Sequence, residues 1–132
     1  MKSGIYTANT TSAALGANSL LPLGNIVRRF GCALDLNGNG INIAVQGYYD
    51  VKASVTYTPT DAGVLTVQLM ADGVAVPGSV ASTTAVAGTT YNLSIVGKVR
   101  QSCGSVGTLT LLVNLAGTLN NVALDVDEVE RG

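Results

Sequence analysis

The stretch that decides the fold is Gly47-Tyr48-Tyr49-Asp50-Val51-Lys52-Ala53-Ser54-Val55-Thr56-Tyr57-Thr58-Pro59. Its apolar side chains recur at every second position: Val51, Ala53, Val55 and Tyr57. The positions between them are polar: Asp50, Lys52, Ser54, Thr56 and Thr58. A period of two is that of a β-strand, in which successive side chains point to opposite faces. The stretch is therefore predicted to be a strand with one face in the core.

The same alternation continues along the chain between short turn signals. Asp72-Gly73 marks a hairpin, which is expected to return antiparallel through Val74-Ala75-Val76. Residues 77–88 are predicted to be an irregular edge or a weak strand, and residues 101–107 and 117–121 are predicted to be turns. The apolar rows predict a core that contains Val51, Val55, Tyr57, Val67, Leu69, Leu93, Ile95, Leu111, Val113 and Leu124.

The first 45 residues carry weaker signals. A short strand is predicted at residues 5–8, and a hairpin is predicted around Asn37-Gly38-Asn39-Gly40. We divide the chain into an N-terminal segment, residues 1–29, and a jelly-roll domain, residues 30–132, within a single domain overall. The segment is predicted to be partly strand and to serve in attachment or in a trimer contact.

The strand pattern limits the architecture. About ten short strands are predicted, and no window of helical period is longer than a couple of turns. A βαβ arrangement is therefore excluded. A closed or two-sheet antiparallel protein remains, and the strand count favours an all-β, two-sheet antiparallel jelly roll.

The composition predicts association between copies of the chain. Charged residues make up 11% of the 132 residues and hydrophobic residues 47%, whereas a soluble domain ordinarily carries about 25% charged residues. The mean hydropathy is +0.39, yet no run approaches the roughly 18 consecutive apolar residues of a membrane helix. We therefore expect no membrane insertion, and an apolar exterior that is covered in a tight homo-oligomer.

Charge and the N-terminus restrict the partners further. The net charge is −1, and the seven Lys and Arg residues are scattered along the chain. They form no basic stripe that would follow a phosphate backbone, so nucleic acid is not expected as a partner. The N-terminus lacks the apolar core of a signal peptide, so export by the general secretory route is not expected.

The residues that would carry catalysis are mostly missing. The chain contains no histidine, which excludes a serine triad of the usual kind and a histidine metal cluster. Cys32 and Cys103 either form a disulfide bridge or are two half-buried thiols that pack as small apolar residues. Cys103 has no neighbouring base that would generate a thiolate. We predict that the protein is not an enzyme and needs no cofactor.

Three segments resemble the tumour necrosis factor and complement globular-head superfamily. Residues 47–59 resemble its Gly-Tyr-Tyr-x-Val strand, residues 67–78 are similar to a hairpin of its bacterial and phage branch, and residues 121–126 are similar to the last strand of that branch. The resemblance implies a ten-stranded jelly roll that forms a compact trimer about a threefold axis. It also implies that the sheet with the first and last strands faces the neighbouring copies.

Asp125 and Asp127 are the candidate polar site. In a strand they share a face, about 6–7 Å apart. If the strand order of the superfamily holds, the two carboxylates face Lys52, with Lys98 and Arg100 one strand further on, which makes a cross-strand charge ladder. The weaker alternative is a calcium site built from the same two carboxylates.

Two functions follow from the resemblance. The first is a structural, homotrimeric module of a virus particle, a phage head-decoration or fibre-head protein that is made in the host cytoplasm and contacts capsid or fibre proteins. The alternative is an adhesive head domain of a collagen-like protein on a bacterial cell or spore surface. The chain contains no Gly-x-y stalk of the kind that often precedes such heads, which favours the virion.

Overall fold

The computed structural model describes residues 3–101 and 107–130, and it folds them into twelve β-strands. The strands are β1 (Gly4–Asn9), β2 (Ala13–Leu15), β3 (Ser19–Leu20), β4 (Asn25–Phe30), β5 (Leu34–Asn37), β6 (Gly40–Ile43), β7 (Gly47–Pro59), β8 (Gly63–Ala71), β9 (Val74–Ala85), β10 (Tyr91–Gln101), β11 (Gly107–Val113) and β12 (Gly117–Glu130). None of the described residues forms a helix that is long and apolar enough to cross a membrane.

The strands form two sheets, which we call sheet A and sheet B. Sheet A has the order β10-β7-β12-β1-β4, with β2 beside β12. Sheet B has the order β5-β6-β11-β8-β9, with β3 beside β11. The paired strands are antiparallel. The predicted all-β, two-sheet antiparallel jelly roll is therefore confirmed.

The core lies between the two sheets and follows the period-two pattern. Val55 is fully buried, and its neighbours across the strands are Leu93 and Val122. Tyr57 is also fully buried, and its hydroxyl donates a hydrogen bond of 2.7 Å to the Leu115 carbonyl. Every side chain assigned to the core from the sequence is at most 9% exposed. The alternation thus places one face of each long strand in the interior.

The predicted turn at residues 117–121 is wrong, because these residues begin β12. Leu119 is fully buried, and the register of β12 against β7 shifts between Leu119 and Asn121. This is a β-bulge, which takes up one extra residue without ending the strand. The Asn120 amide donates a 2.7 Å hydrogen bond to the Thr58 hydroxyl at this position. Gly and Asn here therefore indicate a bulge rather than a reversal of the chain.

The structure also tests the two predicted hairpins and the segments at residues 77–88 and 101–107. The hairpin at Asp72-Gly73 is confirmed, with positive φ angles of 52° and 80°. The hairpin formed by β5 and β6 is confirmed as well. Residues 77–85 belong to β9, which is the edge strand of sheet B and whose pairing with β8 is irregular between Gln68 and Met70. The two predicted descriptions, a strand and an irregular edge, therefore both hold up to Ala85. The amide of Gln68 holds this strand by donating to the carbonyls of Val76 and Ser79. Residues 102–106 of the predicted turn lie outside the described residues.

The N-terminal segment takes part in sheet A. β1 lies between β12 and β4, and the boundary predicted at residue 29 falls inside β4. The main chain of Ser3 accepts a hydrogen bond from the Glu128 amide, and the Ser3 amide donates to the Glu128 carboxylate at 2.9 Å. The segment therefore completes the jelly roll. Its role in attachment or in a trimer contact stays a prediction.

Candidate assembly interface

The side of sheet A that faces away from the core, called the outer face below, is built from side chains that the strand register aligns in rows. One row runs across five strands and contains Val96, Lys52, Asp125, Tyr6 and Arg28. The next row contains Lys98, Asp50, Asp127, Gly4 and Phe30. On the long strands β7, β10 and β12 these positions alternate with the buried ones, as the period of two requires.

The predicted charge ladder is correct in part. Asp125 lies opposite Lys52 in the register, as expected from the superfamily strand order. Asp127 lies opposite Asp50 instead of Lys52, because β12 and β7 run in regular antiparallel register here and a step of two residues on one strand is a step of two on the other. Asp50 is paired with Lys98, with Nζ and Oδ1 3.4 Å apart.

Arg100 takes a different partner from the one predicted. Its guanidinium lies over the ring of Tyr48, 5.9 Å from the ring centre, and Tyr48 is its register partner on β7. This is a cation–π contact rather than an ion pair with a carboxylate. Tyr49, next to it in the sequence, points the other way and is fully buried in the core.

Asp125 has a perturbed carboxyl group, and Asp127 is one cause of the perturbation. Desolvation by burial is the largest cause that raises the pKa of Asp125 above its ordinary value, followed by the negative charge of Asp127 and a hydrogen bond shared with that residue. The positive charge of Lys52 opposes the shift. Asp125 therefore holds a proton more readily than an isolated aspartate would.

Gly4 creates room for an aromatic side chain on the outer face. A Cβ at this position would collide with the ring of Phe30 and with the Asp127 carboxylate. The absence of a side chain thus lets Phe30 lie across β1 towards Asp127. Phe30 is 57% exposed, so a large apolar ring stands at the end of the row of charges.

An apolar concavity of about 310 Å³ lies at the other end of the outer face. Its walls come from β7, β10 and β12: Lys52, Ala53, Ser54, Ser94, Ile95, Val96, Ala123 and Asp125. Val96 is 69% exposed. The other outward positions of this strand are polar: Asn92, Ser94, Lys98 and Arg100. Val96 is therefore an apolar residue on the polar side of β10. That break in the pattern is the signal in the sequence that could have identified Val96, which our sequence analysis missed.

The other predicted site residues do not form a chemical site in the described part of the chain. Cys32 is exposed and its thiol is free among the described residues, while Cys103 lies outside them, so the disulfide stays a prediction. Within residues 3–101 and 107–130 no group of three or more His, Cys, Asp or Glu side chains is arranged to hold a metal ion.

Comparisons with known proteins agree on the fold. No protein-family model matches the chain, and no curated protein matches its sequence. The globular domain of zebrafish complement 1qA protein superimposes with a TM-score of 0.76 at 7% identity and covers 98% of each chain. Murine APRIL at pH 5.0 gives a TM-score of 0.75 at 11% identity and covers 98% of this chain and 100% of APRIL.

A viral structure is similar as well. The PRD1 vertex protein P5 superimposes with a TM-score of 0.68 at 15% identity, covering 97% of each chain. Identities this low show the fold alone. The chain therefore has a two-sheet jelly-roll fold like that of murine APRIL, the complement 1qA globular domain and the PRD1 vertex protein P5.

Proposed function

We propose that this protein is a homotrimeric structural module of a virus particle, a phage head-decoration or fibre-head protein, and that its copies associate through the outer face of sheet A. The likeness to the PRD1 vertex protein supports the virion location. The superfamily resemblance supports the trimer and the use of the sheet that contains β1 and β12. The protein is proposed to act by binding and not by catalysis.

The outer face is the observation that carries this proposal. Val96 and Phe30 are 69% and 57% exposed on it, and an apolar concavity lies beside Val96. Complete burial of one such valine side chain by a second copy of the chain would stabilise the contact by about 1.5–3 kcal/mol. Exposed apolar side chains grouped around a concavity are typical of a protein–protein contact.

Light scattering on the purified chain tests the trimer. The expected molar mass is three times the 13.4 kDa chain mass. Val96→Asp should dissociate the trimer, because it places an unpaired carboxylate in the contact. Val74→Asp is the matched control, since Val74 is also 69% exposed but lies on β9 of sheet B. A wild-type monomer, or equal dissociation by both variants, would contradict the proposed interface.

The virion location needs a separate experiment. Antibody labelling of purified source particles in the electron microscope is expected to mark the head or a fibre. Label on a bacterial cell or spore surface would favour the second candidate, an adhesive head of a collagen-like protein. The similarity to the complement 1qA globular domain supports that candidate.

A further inference from the structure

The acidic residues of the outer face carry an inference that rests on the proposed trimer. We propose that association through the outer face is coupled to proton uptake by the Asp125–Asp127 pair, so that acidification strengthens the assembly. The carboxylates are side by side on β12, at the centre of the face through which the copies meet.

The polar and charged groups around the pair come from the two strands on either side of β12 in sheet A, while β2, which also pairs with β12, has no charged residue. On one side, β7 supplies Lys52 and Asp50 together with Tyr48, and β10 adds Lys98 and Arg100. On the other side, β1 supplies Tyr6 opposite Asp125, and β4 supplies Arg28 opposite Tyr6. Glu130 of β12 lies opposite Tyr48.

The cations nearest the pair do not balance its charge. Lys98 is engaged by Asp50 at 3.4 Å, and Arg100 lies over Tyr48. Lys52 is opposite Asp125, whereas Asp127 lies opposite Asp50, which already pairs with Lys98. Three carboxylates of β7 and β12 therefore face two ammonium groups. Arg28 is separated from Asp125 by the strand that carries Tyr6, and its guanidinium donates to the Val27 carbonyl.

Covering this face with another copy removes water from the pair. An excess negative charge in a dry contact is costly unless it is neutralised. One proton taken up by Asp125 removes the excess and leaves the carboxylates of Asp50 and Asp127 with the two ammonium groups. Val96 and Ala123 beside Asp125 carry no side-chain donor that could replace the lost water, and the donors of the same concavity are the hydroxyls of Ser54 and Ser94 and the ammonium group of Lys52.

The pKa of Asp125 is shifted in the direction that proton uptake on association requires. Burial and Asp127 already raise its pKa in the single chain, and further burial acts in the same direction. The associated state thus binds more protons than the free chains. By linkage the association constant rises as the pH falls towards the raised pKa, by up to about tenfold per pH unit for each proton taken up.

Sedimentation at constant ionic strength at pH 8, 6.5 and 5 tests the inference. The dissociation constant of the wild-type trimer should decrease at least tenfold from pH 8 to pH 5. Asp127→Asn should remove most of this change and should associate at pH 8 at least as tightly as the wild type, since the amide carries no charge. Asp61→Asn is the control: Asp61 is an exposed carboxylate between β7 and β8, and its loss should leave the pH dependence unchanged.

The outcomes separate this inference from the proposed function. A trimer that dissociates in Val96→Asp but has the same affinity at all three pH values overturns the proton coupling and keeps the interface. Equal loss of pH dependence in Asp61→Asn and Asp127→Asn also overturns it, since the effect then follows overall charge. A wild-type chain that is monomeric at every pH contradicts the proposed function itself.

Discussion

Replacing Val55 by aspartate should abolish folding. Val55 is fully buried between Leu93 of β10 and Val122 of β12. The substitution forfeits about 1.5–3 kcal/mol of apolar burial. It also forces the new carboxyl to stay protonated in a dry site, and keeping a proton on a group whose ordinary pKa is about 3.9 costs about 4 kcal/mol at pH 7. The sum of roughly 6–7 kcal/mol lies within the 5–15 kcal/mol stability of a typical domain.

The milder Val55→Ala makes this cost measurable. It removes two methyl groups, worth about 0.8 kcal/mol each, and leaves a cavity, so we expect a loss of about 2–3 kcal/mol in urea unfolding followed by circular dichroism. Ser82→Asp on the exposed side of β9 is the control and should change the unfolding free energy by no more than about 0.5 kcal/mol.

A third variant tests the register. Thr56 lies next to Val55 but points to the outer face, where its hydroxyl accepts a 3.1 Å hydrogen bond from the Asn92 amide. Thr56→Asp should therefore fold, although association through the outer face should weaken. A folded, soluble Val55→Asp chain would refute the reasoning, as would equal loss of soluble protein in Val55→Asp and Thr56→Asp.

Three further predictions concern a turn and the acidic pair. Gly73 has a φ of 80° and no atom within 4 Å of an added Cβ, so Gly73→Val should cost about 1–2 kcal/mol through backbone strain alone; an unchanged melting temperature would contradict this. The raised pKa of Asp125 means that the folded chain holds this proton more tightly than the unfolded chain, so the cost of ionising Asp125 is present above the raised pKa and is relieved as the pH falls through it. Thermal melts should show the melting temperature rising as the pH is lowered through the raised pKa, and Asp125→Asn should remove this contribution. We expect Asp125 and Asp127 to act as surface charges and not as metal ligands, so chelator should leave the melting temperature unchanged; a rise of several degrees in millimolar calcium that Asp127→Asn abolishes would instead establish a metal site.

Much of the fold could be predicted because local patterns carry it. The alternation in residues 47–59 identifies a strand and also states which side chains enter the core, and Asp72-Gly73 identifies a hairpin because both residues adopt positive φ. Residues 117–121 were misread because Gly and Asn favour turns and bulges alike. The long-range partner that keeps this segment in a strand, β7, is not visible locally.

The candidate site depended on contacts between distant parts of the chain. The sequence could place Asp125 and Asp127 on one face, but the pairing of Asp127 with Asp50 followed from the register of β12 on β7. Phe30 reaches Asp127 across Gly4, although these residues are far apart in the chain.

By itself, then, the sequence determined the strands, their inward and outward faces, and the fold that these imply, because a period of two and a turn residue are properties of adjacent amino acids. The tertiary structure alone decided which outward side chains are neighbours on sheet A. The reason is that a one-residue bulge or shift between strands changes every later pairing across the sheet, and such shifts are selected by packing over the whole domain.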